Sequence, residues 1–244
     1  MDPKRVILVT GANGCLGRAI AEAFLSESER NVVWLGVHHH RDQADALSER
    51  AADRCRVMPL DVTQESAWKE ALACIVSQDG RLDVLVNNAG RHEDTLLGTM
   101  STEVWDRVLT TNLDSVFHGC RAALPVMISQ RAGRIVNVAS LSAWLAPAGQ
   151  TNYAAAKAGV LALTQSLAKE IARIGITVNA VCPGYIESEA VGKMSPEERQ
   201  RALERVPMRR FGRPEEVAAV VRFLACEGAG YITGSAIKID GGVF

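Results

Sequence analysis

Short apolar runs alternate with longer helix-patterned stretches along nearly the whole chain, and this alternation constrains the fold more than any other feature. Strand candidates occupy 6–9, 32–37, 55–60, 84–87, 134–139, 177–181 and 236–239. Several are continuous apolar runs, the pattern of strands buried on both faces. Helical patterns occupy 17–28, 44–52, 65–77, 102–130, 153–173 and 215–226, with a kink or break expected at Pro125 in the fourth. Repeated strand–helix units imply a parallel sheet with helices on both faces. The 244 residues suit one α/β domain, and no linker, repeat or low-complexity segment divides them. The expected architecture is therefore a single-domain, doubly wound parallel sheet over residues 1–244. The longest stretch without a strand runs from Gly184 to Gly212 and contains SPEERQRALERVP. Ser195 is placed as N-cap and Pro196 as first helical residue. A helical insert near 185–212, after the C-terminal end of a strand, lies where a substrate lid sits; a surface helix without a role is the alternative.

Charge and cysteines narrow the setting. The formal net charge is −1, so no overall pull toward nucleic acid or an anionic membrane is expected. No apolar run reaches the length of a bilayer span. The N-terminal MDPKRVILVTG enters glycines too early for a signal peptide and reads as a first strand. Cys15, Cys55, Cys74, Cys120, Cys182 and Cys226 are scattered without a C-x-x-C pair, which favours reduced thiols in a cytoplasmic protein over disulfides or zinc. His38, His39 and His40 have no spaced partner, so they read as a loop after a strand and no metal is expected.

The first strand leads into VILVTGANGCLGRAIAEAF, residues 6–24, with Gly11, Gly14 and Gly17 in the turn. A glycine turn between a strand and a helix can cradle a dinucleotide pyrophosphate, because the N–H groups of the helix start face the phosphates. Asn13 tolerates left-handed backbone and can bond locally. Cofactor choice is read at the end of the second strand, where a carboxylate suits NAD and a cation suits the 2′-phosphate of NADP. His38, His39, His40 and Arg41 come before the first carboxylate, Asp42. This order favours NADPH over NADH, and Asp42 keeps NADH open.

Further on, Tyr153 and Lys157 are four residues apart, so on a helix they share a face. Ser140 ends a strand candidate, where a parallel sheet presents ligand-facing residues. With Thr10, Asp61, NNAG at 87–90, Asn112 and PGYIES at 183–188, these residues make the chain similar to the short-chain dehydrogenase/reductase family over essentially its whole length. That family has the Rossmann fold. GQTNYAAAKAG, ITVNAVCPGYIES, RFGRPEEVAAVVRFLA and YITGSAIKIDGG resemble its 3-oxoacyl-[acyl-carrier-protein] reductases.

The resemblance implies roles. Tyr153 is the acid that protonates the carbonyl oxygen; Lys157 lowers its pKa and holds the nicotinamide ribose. Ser140 stabilises the charge forming on the substrate oxygen. Asn112 holds a water that relays protons to Lys157. Gly11, Asn13, Gly14, Cys15, Leu16 and Gly17 form the phosphate cradle, His38 and Arg41 the 2′ site. Asp61 and Val62 contact the adenine, Asn88, Ala89 and Gly90 the ribose region, and Pro183, Gly184, Ile186 and Ser188 the nicotinamide side. Gln150 and Tyr185 are candidates for the substrate pocket. Arg131, and Arg173 beside the family's second basic position, are candidates for docking an acyl carrier protein near the pocket mouth. A homotetramer is expected. The implied reaction is NADPH-dependent reduction of a carrier-bound 3-oxoacyl thioester, in fatty acid or polyketide synthesis. A dehydrogenase of a small alcohol, sugar or steroid, and a catalytically silent nucleotide-binding scaffold, are the competing readings.

The chain departs from the family at three points. Cys15 takes the place of the second glycine of T-G-x-x-x-G-x-G, with Gly14 one place early; the expected result is an altered turn that still binds phosphates. Gly14 stands where many NADP-using members carry a basic residue. Arg91 follows NNAG where an apolar residue is usual.

Overall fold

A computed structural model describes residues 4–244; Met1, Asp2 and Pro3, the start of the segment weighed as a leader, lie outside the described residues. Seven strands form one sheet: β1 Arg5–Thr10, β2 Asn31–Val37, β3 Cys55–Pro59, β4 Val84–Asn87, β5 Gly133–Val138, β6 Ile176–Pro183 and β7 Ala236–Ile239. Their order is β3-β2-β1-β4-β5-β6-β7, and every pairing is parallel. The chain winds outward in one direction from β1 and in the other from β4. A crevice therefore opens at the C-terminal ends of these two strands.

The continuous apolar runs work as two-faced strands. Along β1, Val6 and Leu8 enter a core with Trp68, Leu72, Ile75, Val116, Met127 and Val160. Ile7 and Val9 enter the opposite core with Ile20, Phe24, Leu47, Val217, Val221 and Leu224. The helices supplying these cores are α1 Cys15–Glu27, α2 Asp42–Ala51, α3 Glu65–Asp79, α4 Thr102–Leu109, α5 Ser115–Gln130, α6 Ser142–Leu145, α7 Thr151–Ile171, α8 Glu189–Gly192, α9 Pro196–Glu204 and α10 Pro214–Ala225.

The expected helix over 102–130 is interrupted, but not at Pro125. A wide π turn, Thr110–Asp114, separates α4 from α5, and α5 continues through Pro125. Pro125 lies on the exposed side of α5, so water can serve the carbonyl it leaves free, while its neighbours Ala123 and Met127 hold the helix in the core. The short α6 has no counterpart in the sequence pattern.

The 185–212 insert holds α8 and α9. The start of α9 is as expected: Ser195 Oγ accepts from Glu198 N (3.2 Å) and the Glu198 carboxylate accepts from Ser195 N (2.9 Å), a capping box with Pro196 behind it. The insert has its own small core of Val191, Ala202 and Phe211, with Tyr185 against it. Its base is closed by Glu187 N to Gly212 O (2.8 Å) and Gly212 N to Tyr185 O (2.9 Å). No helix among the described residues is long and apolar enough to cross a membrane.

Candidate active site

The loop after β1 explains its own glycines. Gly11 has φ +63°, and a Cβ there would stand 2.9 Å from Ala89 Cα. A Cβ on Gly17 would collide with Gly11 O and come 2.9 Å from Ala12 Cα. Gly14 differs: its φ is −74° and the nearest atom to an added Cβ is 3.5 Å away. Of the three, Gly11 and Gly17 alone occupy positions that need glycine, so the shifted spacing leaves the turn without a steric conflict. Gly14 caps α1, whose first helical bond is Arg18 N to Gly14 O (2.9 Å). The N–H groups of Cys15, Leu16 and Gly17 precede that bond and are the open donors of the helix start. Thr10 ties this loop to β4, its Oγ1 accepting from Asn88 N and Ala89 N, both at 3.0 Å. Asn88 Nδ2 donates to Thr10 O (2.8 Å), so its amide braces the loop.

A cleft of about 360 Å³ runs from this loop to Tyr153 and Lys157, with Ser140, Gly90, Gly184, Ile186 and Ser188 in its walls. Ser140 follows β5, and Tyr153 and Lys157 lie one turn apart near the start of α7. Ser140 Oγ accepts from Ser142 N (3.1 Å), so its hydroxyl proton is free to be donated, and the Tyr153 phenol lies within its reach. Lys157 is 3 % exposed; Nζ donates to Val138 O (2.8 Å) and lies 5.6 Å from the centre of the Tyr153 ring. Burial brings its pKa down to about 8, against the pull of Cys182. Asn112, in the π turn, spends both amide protons on Arg91 O and Val108 O (2.6 and 2.9 Å). Its Oδ1 accepts from Arg91 N (3.3 Å) and keeps one lone pair for a water. A Cβ on Gly90 would lie 2.6 Å from that Oδ1 and 3.4 Å from Lys157 Nζ, so the glycine lets Asn112 and Lys157 approach.

Ser140, Tyr153 and Lys157 thus line one end of one cleft, with Asn112 behind Gly90 in its wall. Comparison with known proteins places the whole chain. Residues 11–244 fit the family model described as enoyl-(acyl carrier protein) reductase. The chain is 40 % identical over 240 residues to the 3-oxoacyl-[acyl-carrier-protein] reductase FabG of Vibrio harveyi, covering 98 % of this chain and 97 % of that one. The like-named proteins of Thermotoga maritima and Escherichia coli are 42 % and 39 % identical, at the same coverage. The chain belongs to the short-chain dehydrogenase/reductase family.

As a member of that family it is an oxidoreductase using a nicotinamide dinucleotide. The cradle fits such a group: two glycines that exclude any side chain, three open N–H groups, and a cleft continuous with Tyr153. Where the 2′ end of such a group is expected, β2 stops at Val37 and His38 follows. His38 Nε2 lies 3.5 Å from Asp61 Oδ2 and stacks on His39. Asp61 also accepts from the Thr63 hydroxyl (2.7 Å) and N–H (3.0 Å), and Val62 beside it is buried. Burial pushes the Asp61 carboxyl up, but the Thr63 bonds and the histidines outweigh it and leave the pKa lowered. Arg41 is held by Asp45 in a two-pronged pair (2.7 and 2.8 Å). Asp42 begins α2 and does not end β2.

Several site residues differ from the sequence reading. Asn13 does not take left-handed backbone among the described residues; its Oδ1 accepts from Gln43 N and Ala44 N (2.9 and 3.1 Å) and so caps α2 from another loop. Lys157 was expected to lower the Tyr153 pKa. Instead burial raises it, offset in part by the Ser140 bond and reinforced by Asp94, because Lys157 Nζ lies under the ring, bonded to Val138 O. Tyr185 lies outside the cleft wall, its ring 6.0 Å from Phe211 in the insert's core. Gln150 is also outside the cleft wall: Nε2 donates to Asp94 Oδ2 and Oε1 accepts from Ser142 Oγ, both at 2.9 Å. Arg131 and Arg173 precede β5 and β6, at the opposite end of the strands from Ser140. Six-residue β5 alone separates the two ends by about 20 Å, so these arginines do not share their own subunit's pocket mouth. Sequence reasoning passed over His92 and Asp94; their position directly after NNAG, at the end of β4, was the signal available.

Proposed function

We infer that the protein reduces the 3-oxo group of an acyl thioester carried by an acyl carrier protein, with NADPH as reductant. The observation carrying this reading is the convergence of the Ser140 and Tyr153 hydroxyls at the end of the dinucleotide cleft, in a chain whose relatives bear that activity's name over 97 % of their length. Gly11, Gly14, Cys15, Leu16 and Gly17 hold the pyrophosphate on their backbone. Asp61 and Val62 flank the adenine, Asn88, Ala89 and Gly90 the ribose region, and Pro183, Gly184, Ile186 and Ser188 the nicotinamide side. When bound, the nicotinamide supplies the hydride. The chain's own work is to hold the substrate oxygen between two hydroxyls. Ser140 Oγ–H stabilises the charge growing on that oxygen. Tyr153 Oη–H gives it the proton. Lys157, buried and cationic below about pH 8, stabilises the phenolate left behind, and Asn112 Oδ1 offers a place for a relay water.

The start of the loop after β2 supports NADPH, since histidines and Arg41 precede any carboxylate there, although Arg41 must share or open its pair with Asp45. The 185–212 insert is proposed as the substrate lid, hinged where Tyr185, Glu187 and Gly212 pair. Arg131 and Arg173 can serve a carrier protein only across an assembly, at a partner's pocket; exposed Phe117 and Ile128 on α5 and fully exposed Tyr231 before β7 are apolar surface for the proposed homotetramer. Six unbridged cysteines suit a reducing, cytoplasmic setting.

The family model's description names an enoyl substrate. The assay that decides follows absorbance at 340 nm with acetoacetyl and crotonyl thioesters, each with NADPH and NADH. Oxidation of NADPH by the acetoacetyl compound alone is expected. Turnover of the crotonyl compound alone overturns the reading, and preference for NADH overturns its cofactor.

A further inference from the structure

Tyr153 has two basic neighbours in different surroundings. Lys157 is buried in the wall of the cleft that the cofactor fills. His92, from the loop after β4, meets the Tyr153 ring edge-on, with centroids 6.0 Å apart and planes at 69°. His92 is 58 % exposed and forms no part of that cleft wall, so a bound dinucleotide leaves it open to solvent.

The imidazole is held in place. Its Nδ1–H donates to Asp94 Oδ1 (3.1 Å). The other Asp94 oxygen accepts from Gln150 Nε2, Gln150 Oε1 accepts from Ser142 Oγ, and Ser142 N donates to Ser140 Oγ. The contacts thus form a closed rim from His92 round to Ser140 and Tyr153. A carboxylate on Nδ1 leaves Nε2 as the nitrogen that exchanges protons. His92 contacts Asp94 on its own loop and the neutral Tyr153 from α7; the other titratable groups nearby are Glu93 and Arg91 on its own loop, Arg107 from α4, paired to Glu93, and Lys157 on the Tyr153 ring. Glu93 is taken up by Arg91 (3.3 Å) and Arg107 (3.0 and 3.1 Å), which leaves Asp94 as the partner of the imidazole.

We propose that His92, oriented by Asp94, is a positioning residue that returns a proton from solvent to Tyr153 on the side the cofactor leaves open. The inference rests on the reductase reading. In each turnover the phenolic O–H bond of Tyr153 breaks as its proton passes to the substrate oxygen. The phenolate then takes the proton from Nε2–H of the His92 imidazolium, directly or through one water. The neutral imidazole recovers a proton from solvent, and no further reactant is needed.

The test measures kcat against pH, with acetoacetyl thioester and NADPH, for the wild type, His92→Ala, His92→Gln and Asp94→Asn, with and without free imidazole. His92→Ala is expected to lose on the order of tenfold in kcat at little change in KM, short of a full general-acid contribution. Free imidazole restores part of that loss, and His92→Gln, which keeps the shape without the proton, stays slow. The wild-type pH profile is expected to differ from that of His92→Ala in shape and not only in height. A His92→Ala profile equal to the wild type overturns the proposal, as does a loss that His92→Gln recovers and imidazole does not. A second arm follows the His92 ring resonances by NMR, assigned with His92→Gln. They are expected to move in Tyr153→Phe, and unmoved resonances overturn the link. A wild type that reduces no 3-oxoacyl thioester sinks the reductase reading instead, and the NMR arm still decides the link.

Discussion

Tyr153 and Lys157 share a face of α7, and burial moves their acid–base chemistry in opposite senses. It penalises whichever form carries charge, so the phenol is held above its ordinary range and the ammonium falls to about 8. Replacing Tyr153 by Phe keeps the ring and removes the proton. A fall in kcat of about 10²–10⁴ is expected, with NADPH affinity by fluorescence titration unchanged. The lysine also leaves a mark on stability. Its folded value, about 8, lies below the roughly 10.4 of a free lysine. Between these values the unfolded chain binds the extra proton, so the wild type gains stability from this group as pH rises from 8 to 10. In urea unfolding of the cofactor-free protein, the difference between wild type and Lys157→Met is expected to shift toward the wild type over that interval. A constant difference would show that Lys157 titrates alike in both states.

At the scale of elements, the loop after β1 does two jobs. Its backbone forms the proposed cradle, and its Asn13 side chain caps α2, beside the segment proposed to face the 2′ end of the dinucleotide. Gly17→Ala places a methyl against backbone atoms that cannot retreat, whereas Gly14→Ala meets nothing closer than 3.5 Å. Thermal melts and cofactor titrations should separate them: Gly17→Ala is expected to lower both Tm and NADPH affinity, and Gly14→Ala to leave both near the wild type. Asn13→Ala removes the cap of α2 and is expected to lower unfolding stability by about 1 kcal/mol. It should also narrow the preference between NADPH and NADH, because the loop ending in α2 is no longer pinned. Equal preference ratios in the variant and the wild type would confine Asn13 to stability.

For the whole molecule, the proposed docking role of Arg131 and Arg173, at the far end of the strands from Ser140, ties that role to the quaternary state. Sedimentation is expected to show a tetramer. The double change Arg131→Glu with Arg173→Glu is expected to raise KM for a carrier-bound thioester more than for a small one; an equal effect on both would remove the arginines from docking. Much of this protein was legible in its sequence. The two-faced strands reveal themselves because burial on both sides demands unbroken apolar runs, as in 32–37, and β4 and β7 fall on the expected residues. Tyr153 and Lys157 were legible because their relation is local, one turn of one helix. Cys15 marked an altered turn, and spacing alone could not say which glycine has a positive φ or a backbone neighbour. The helix break was misplaced at Pro125 because a proline's cost depends on whether its face meets water. Sequence by itself determined the order of the strands and long helices and the sheet's burial, which follow from periodicity, and its resemblance to a family nominated Ser140, Tyr153 and Lys157, which the structure brings to one cleft. Only the tertiary structure decided that Asn13 serves α2, that Arg131 and Arg173 lie at the far end of the strands, that burial raises the Tyr153 pKa, and that His92 reaches its ring. Each of these depends on desolvation or on contacts between residues distant in the chain, and neither is written in local pattern.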